Sequence, residues 1–452
     1  MKWLVEPREA FRVWMKIGLI NFGGPAGQIA MMHRVTVEER RWIGEQRFLH
    51  ALNFCMLLPG PEAQQLATYI GWLIGGVRGG LMAGGLFILP GALFMLGLSI
   101  LYAKFAEVPL LQGVFYGVKA AVVAIVIEAL LRIAKRALTT PAVRILALSA
   151  FVAIFFMAVP FPLIVLGAGI LGAIASRYWP QMLGTKKAAN GASAKIESIP
   201  LIDAAFDAGE LRHTIPSARK TIFASVAGLL IWFGPLLLVA MIAGRTSVYA
   251  DLGFFFSKMA VVTFGGAYAV LAYVADQVVN AYHWLKPAEM LHGLGLAETT
   301  PGPLILVLQF VGFLAAYRAP GGLDPLAAGM IGAAITLWAT FVPSFLWIFV
   351  GAPYTESLRR QPALAGALAA ITGAVVGVIL NLTVWFALHS MFARVRDVHW
   401  GILKLPLPDP ASFDPATAIL ALLASIALLR LHWGMLPVLG LCAAAGVALR
   451  LI

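Results

Sequence analysis

Ionisable side chains are scarce inside the apolar stretches of this 452-residue sequence, and two of them sit beside helix breakers. Glu62 follows Pro61 directly, and Glu298 lies three residues before Pro301. A carboxylate at membrane depth costs at least ~2.5 kcal/mol on insertion scales, so it marks a candidate for function. Next to an anion it would repel when ionised and tolerate when protonated, which is what proton-coupled exchange needs. The structural alternative is an acid that caps the start of a half-helix. The breakers are Pro59-Gly60-Pro61 and Pro301-Gly302-Pro303, joined by Phe22-Gly23-Gly24 and Phe264-Gly265-Gly266. Pro removes a backbone donor and Gly leaves the backbone bare. In hydrocarbon such breaks survive only where protein or a watery cavity satisfies them. The half-helix starts they create point amides and a positive dipole end at whatever lies between, which favours an anion.

Other polar residues cluster near the same breaks. Asn21 and Thr263 precede the two Phe-Gly-Gly motifs, and Gln64, Gln65, Thr299, Thr300 and Gln309 flank the Pro-Gly-Pro motifs. Helix-facing packing is their bland reading. Lys16 and Lys258 stand at matching distances before each Phe-Gly-Gly and could balance a divalent anion, or simply snorkel to the interface. Glu128 and Arg132 are spaced i,i+4 with the acid first, as an internal ion pair would be.

These correspondences come from an internal duplication. Phe22 and Phe264, Pro59 and Pro301, Lys16 and Lys258, and Trp42 and Trp284 are all 242 residues apart. Farther on, Pro90 and Pro343, and Ala121 and Ala374, are 253 apart, so the second copy carries an insertion near Arg318–Asp324. A constant offset over several polar and aromatic identities is not a chance Gly/Pro match.

Composition fixes the setting. Hydrophobic residues make up 61% and charged residues 12%, with mean hydropathy +0.88. That excludes soluble and disordered chains. The net charge of +12 falls mostly in loops and flanks, which suits lipid headgroups and not nucleic acid. Two cysteines, Cys55 and Cys442, exclude a thiolate cluster and argue against a structural disulfide. The first residues, MKWLVEPREAFR, do not read as a cleaved signal peptide. No GxxxxGK[ST], HExxH or GxSxG motif occurs, so no enzyme, cofactor or metal centre is expected.

Apolar runs near 20 residues long recur thirteen times: six, then one at 221–243, then six. The expected fold is an all-α polytopic membrane protein. Two inverted repeats of about six helical segments, 1–176 and 244–452, are joined by a linker at 177–220 and a connecting helix at 221–243. The linker, with TKKAANGASAKIES, reads as flexible. Positive-inside places it and the N-terminus in the cytoplasm. The basic loop 33–47 would then face outward, unless 9–32 and 48–76 are both re-entrant hairpins.

In their order and pairing these motifs resemble the chromate ion transporter family, in its long form with two homologous halves. The matching stretches are NFGGPAGQIAMMHR and LLPGPEAQQLATYIGW, then TFGGAYAVLAYV and GLAETTPGPLILVLQFVGF. The resemblance implies a bacterial inner-membrane protein that exports chromate and confers chromate resistance, coupled to the proton gradient. It maps family function onto Asn21–Pro25, Pro59–Gln65, Thr263–Gly266 and Glu298–Pro303. Sulfate or a related oxyanion, a passive anion channel, and a non-catalytic scaffold subunit are the alternatives. Lipid and a small oxyanion are the expected partners, and a homodimer is compatible with the sequence.

Overall fold

The computed structural model describes residues 3–22, 24–179, 199–264, 266–355, 361–401 and 403–451. In chain order the helices are α1 (Pro7–Ile20), α2 (Gly24–His33), α3 (Glu45–Cys55), α4 (Glu62–Phe105), α5 (Pro109–Ala137), α6 (Pro141–Phe155) and α7 (Phe161–Tyr178). Then come α8 (Leu201–Asp207), α9 (Ala218–Ala243), α10 (Val248–Val262), α11 (Ala267–Asp276), α12 (Pro287–Thr299) and α13 (Val307–Arg318). The last are α14 (Pro325–Gly351), α15 (Pro362–Met391), α16 (Pro415–Leu429) and α17 (Met435–Leu451). Many start with Pro in the first turn, where a missing N–H costs nothing. Thr140, Ser247, Asp324 and Asp414 cap their helices with side-chain oxygens.

Six helices among the described residues are long and apolar enough to cross a membrane: α4, α5, α7, α9, α14 and α15. The thirteen apolar runs are thus not thirteen uninterrupted spans. Run 9–32 is divided between α1 and α2, 48–76 between α3 and α4, and 287–317 between α12 and α13.

The chain forms two compact units. The first comprises Met1–Gly97, Lys186–Gly266 and Thr300–Gln361; the second comprises Leu98–Thr185, Ala267–Thr299 and Pro362–Ile452. Neither is a repeat, for each draws elements from both halves of the sequence.

In the first unit α1 is about 21 Å long and α2 about 15 Å, too short to cross a core of about 30 Å. They form a hairpin instead. Arg40, just past α2, bonds Glu9 at the start of α1 at 3.0 Å. A second hairpin follows. Leu4 N–H donates to Ile74 O at 3.1 Å, and the His213 ring bonds Trp72 O at 2.9 Å. The first arm of α4 therefore returns to the end where α3 begins. There α4 bends at Gly75 and Gly76, and its arms lie close enough that a Cβ on Gly71 would sit 2.4 Å from Gly79 O.

These hairpins resolve the objection raised by loop 33–47. Gly44 N–H and Arg47 Nε donate to Asp203 at 2.7 and 2.8 Å, and Leu201 and Ile202 N–H donate to Arg41 O and Trp42 O. The basic loop and the chain after residue 199 lie at one end, not on opposite sides. The expectation of a flexible linker is corrected for its second half. Ile202, Ala205 and Leu211 are buried with Trp42, Phe48 and Trp72 in one apolar cluster, which holds α8 in place. Residues 180–198, with TKKAANGASAKIES, lie outside the described residues.

The second unit packs α5 against α16 and α17, and α15 against α6 and α7. Small residues permit the approach, as at Gly172 and Gly366. One feature is not helical. Strands β1 (Val395–Trp400) and β2 (Leu403–Pro408) pair antiparallel between α15 and α16, where the first half has only a short turn between α5 and α6. Glu128 and Arg132 make the expected ion pair, and Cys55 and Cys442 are free and buried.

The duplication is visible in the backbone. Arg40 N–H bonds Val35 O and Trp42 N–H bonds Thr36 O; 242 residues on, Tyr282 N–H bonds Gln277 O and Trp284 N–H bonds Val278 O. The positive φ of Arg41, 51°, recurs at His283 as 53°.

Candidate functional site

Each break forms because its residues cannot continue a helix. Gly60 and Gly302 have φ of +121° and +101°, and Gly24 and Gly266 have +67° and +93°. These are the conformations that favour glycine. The same distortions recur in both copies at the same offset.

The breaks meet inside the first unit by reciprocal exchange. Gly60 N–H, in the first Pro-Gly-Pro, donates to Thr263 O beside the second Phe-Gly-Gly at 2.8 Å. Gly302 N–H, in the second Pro-Gly-Pro, donates to Asn21 O beside the first Phe-Gly-Gly at 3.3 Å. Each half thus satisfies a backbone amide released by the other. Side chains complete both crossings. Gln65 Nε2 donates to Pro59 O at 2.8 Å. Gln28 Nε2 donates to Gly302 O at 2.5 Å and Asn21 O at 3.2 Å. Thr263 Oγ1 turns back to Met259 O at 2.5 Å.

The structure brings most of the sequence candidates to this place. Asn21, Gln64, Gln65, Thr263, Thr300 and Gln309 are buried in the first unit with Gly60 and Pro301–Pro303, beside the half-buried Pro59 and Pro61. Gln64 bonds Thr68, and Gln309 bonds Ala92 O. Glu62 is the first residue of α4 and half-buried, two residues past Gly60. Gly23 and Gly265 lie outside the described residues. Other candidates are placed differently. Lys16 and Lys258 are on exposed faces of α1 and α10. Glu298 belongs to the second unit, where it is buried and accepts a 2.5 Å bond from Tyr268 Oη. Thr299, also in that unit, bonds Leu296 O.

Sequence reading missed Tyr268, Thr340 and Ser344, and it missed Gln28 as the tie between the two segments of the second crossing. Gln28 was visible as an uncharged polar residue in the short apolar segment after the first Phe-Gly-Gly. Ser344 and Thr340 were visible through Pro343, which pairs with Pro90 at the shifted offset.

No cluster of His, Cys, Asp or Glu that could hold a metal occurs among the described residues. The site is backbone, amide and hydroxyl, with one carboxylate at its edge. Interrupted helices from both copies of a duplicated sequence, meeting through their own backbone in an apolar bundle, define a multi-pass membrane protein. Residues 8–173 and 250–447 match the family described as "Chromate transporter", and the chain belongs to that family. The "Chromate transport protein" of Cupriavidus metallidurans is 27% identical over 401 residues, covering 88% of this chain and 86% of that protein. The "Chromate transport protein" of Pseudomonas aeruginosa is 30% identical over 383 residues, covering 83% and 80%. An uncharacterized transporter of Methanocaldococcus jannaschii is 26% identical over 379 residues, covering 84% of each. No solved structure matches the chain.

Proposed function

We propose that this protein is a secondary transporter that exports chromate, as a tetrahedral oxyanion, across the bacterial inner membrane, with its flux coupled to protons. The N-terminus, loop 33–47 and the linker face the cytoplasm in this reading. Backbone amides near Gly23, Gly24, Gly60, Gly265, Gly266 and Gly302 serve the oxygens, because a wholly apolar pocket could not hold a dianion. Lys16 and Lys258 supply positive potential from their exposed positions without touching the ion.

The observation that supports this most is the reciprocal exchange Gly60–Thr263 and Gly302–Asn21. It gathers unwound backbone from both halves in a chain whose relatives carry the name chromate transport protein. Glu62 supplies the coupling. An ionised carboxylate at the first position of α4 competes with an anion for the same first-turn amides, and a protonated one releases them. Glu298 is the second carrier candidate.

The test is counterflow of labelled chromate and sulfate in proteoliposomes holding the full chain, with and without a pH difference. Uptake driven by the pH difference, and lost in Glu62→Gln or Glu298→Gln, is expected. Flux that follows anion potential alone defines a channel. Coupled exchange that persists in the double variant removes both carboxylates from the mechanism, and no flux in the wild type leaves the scaffold reading.

A further inference from the structure

The two crossings are equivalent in backbone and opposite in side-chain character. Past the first Pro-Gly-Pro the chain reads Glu62-Ala-Gln-Gln-Leu66; past the second it reads Leu304-Ile-Leu-Val-Leu308. Pro59, Pro61 and Glu62 are half-buried, whereas residues 301–308 are all fully buried. The proline-containing helices behind the crossings differ in the same sense. In the register set by Pro90 and Pro343, Phe87 and Gly91 correspond to Thr340 and Ser344.

At the Asn21–Gly302 crossing the space is filled. A Cβ on Gly91 would sit 2.1 Å from Pro301 O, and one on Gly302 would sit 2.9 Å from Leu306 Cδ1. Gln28 then ties Asn21 O to Gly302 O. The matching residue on the other side is Val270, which can make no such bond. The buried polar atoms left over near the filled crossing, on Asn21, Gln28 and Gln309, are all amide oxygens, which accept only; Gln64 and Gln65 leave such oxygens too, so what sets the other crossing apart is its two hydroxyls.

At the Thr263–Gly60 crossing the place of Gly91 is taken by a side chain with a hydroxyl. Ser344 Oγ lies 2.7 Å from where a Cβ on Gly60 would stand, and Gln65 Nε2 lies 2.9 Å from it. Ser344 is 1% exposed and Thr340, one turn away on the same face, is 4% exposed. Neither hydroxyl has a hydrogen-bond partner. Buried helical threonines elsewhere turn back on their own helix, as Thr336 does to Gly332 O and Thr383 to Ile379 O. Two buried donors without acceptors leave a place for a ligand that accepts. Gln65 adds to it, since its NH2 carries two donors and one goes to Pro59 O.

Building on the transport reading above, and narrowing its ring of amides from both copies to one side, we propose that the oxyanion is bound at the Thr263–Gly60 crossing alone, by the Ser344 and Thr340 hydroxyls and the Gln65 NH2, while the Gln28-tied sister crossing, Gly302 included, is a structural brace. The duplicated frame thus carries one binding half-site and one anchor.

The experiment measures KM for sulfate and for chromate in proteoliposomes of the full-length protein. Ser344→Ala and Thr340→Val are each expected to raise KM about tenfold or more, the worth of a hydrogen bond to a charged ligand. Ser344→Thr, which keeps the hydroxyl, restores it, and Gln28→Met leaves KM as in the wild type. Thr340→Val keeps the side-chain volume and carries the test should Ser344→Ala not fold. Unchanged KM in both hydroxyl variants, or an equal rise in Gln28→Met, overturns the assignment while wild-type uptake still stands. A wild type that takes up neither ion fails earlier, at the transport reading, and the assignment falls with it.

Discussion

Replacing Gly91 by Ala asks whether the second Pro-Gly-Pro truly lies against α4 beside Pro90. The added Cβ would stand 2.1 Å from Pro301 O, 2.7 Å from Leu306 Cδ1 and 3.1 Å from Pro301 C. Leu306 can rotate away. Pro301 O cannot, because it is backbone in a segment held by Gly302 N–H on Asn21 O and by Gln28 on Gly302 O. Restoring an ordinary contact of 3.4 Å means opening the packing by about 1.3 Å. Overfilling of a packed site costs about 1–3 kcal/mol, and stretching the long 3.3 Å Gly302–Asn21 bond adds about 0.6 kcal/mol, the mean for such bonds in membrane proteins. Against this, Gly→Ala inside a helix gains about 1 kcal/mol. The net is a loss of about 2 kcal/mol. Gly85→Ala, in the same helix with nothing within 4 Å of its Cβ, isolates the propensity gain. Denaturation of both variants in detergent is expected to separate them by about 3 kcal/mol. Agreement within about 0.5 kcal/mol, the usual scatter of harmless surface changes, would refute the close approach and the crossing built on it.

Three further outcomes follow from the same geometry. Cysteines introduced at Glu38 and Glu210, in a background lacking Cys55 and Cys442, are expected to react with an impermeant thiol reagent from one side of the membrane; labelling from opposite sides would exclude the hairpins. Asp203→Ala removes two charge-assisted bonds, to Gly44 N–H and Arg47, and is expected to cost about 2 kcal/mol and to open residues 199–214 to limited proteolysis, with an unaltered digestion pattern counting against the docking. Asp414 caps α16 and is bonded by Tyr116 and by the Thr417 N–H and hydroxyl. Burial pushes its pKa up, but those bonds and Lys119 outweigh it and hold the carboxyl below its ordinary value. The stability it contributes is therefore present above about pH 4 and lost as pH falls through the lowered value, so Asp414→Ala is expected to lie about 1 kcal/mol below the wild type at neutral pH and to converge with it in acid, which thermal unfolding across pH checks.

Much of the frame was legible because broken helices in an apolar chain are marked by residue types that cannot be mistaken. Pro-Gly-Pro and Phe-Gly-Gly located all four breaks, and the offset of 242 residues identified the copies. The pairing was not legible. An offset says which residues are equivalent, not which are partners. Packing alone decides that Gly60 meets Thr263 and not Asn21. The two compact units were hidden for the same reason, since they interleave the halves. Hydropathy also misjudged the spans: a run of apolar residues long enough to cross reads the same whether it continues or turns back at a glycine. The hairpins are betrayed by polar contacts at their ends, Arg40 with Glu9 and His213 with Trp72 O, between residues far apart in sequence.

Reciprocal exchange explains why the frame kept its symmetry while the side chains lost theirs. An amide released by a break in hydrocarbon costs several kcal/mol unless it is satisfied. Here the acceptor for each Pro-Gly-Pro amide is supplied by the opposite copy, so a change in one motif strands a donor in the other, and both are held to the duplicated pattern. Side chains around the crossings are under no such bond. One crossing could become apolar and be tied by Gln28, at no cost to the backbone exchange. That freed the other to collect Ser344, Thr340, Gln65 and Glu62, groups that would be expensive to bury twice and are useful once. A dianion held at both crossings would also face a second copy of its own charge in a low-dielectric interior, where repulsion between like charges is far stronger than in water. One polar crossing and one brace is the arrangement that gives the ion a site without that repulsion.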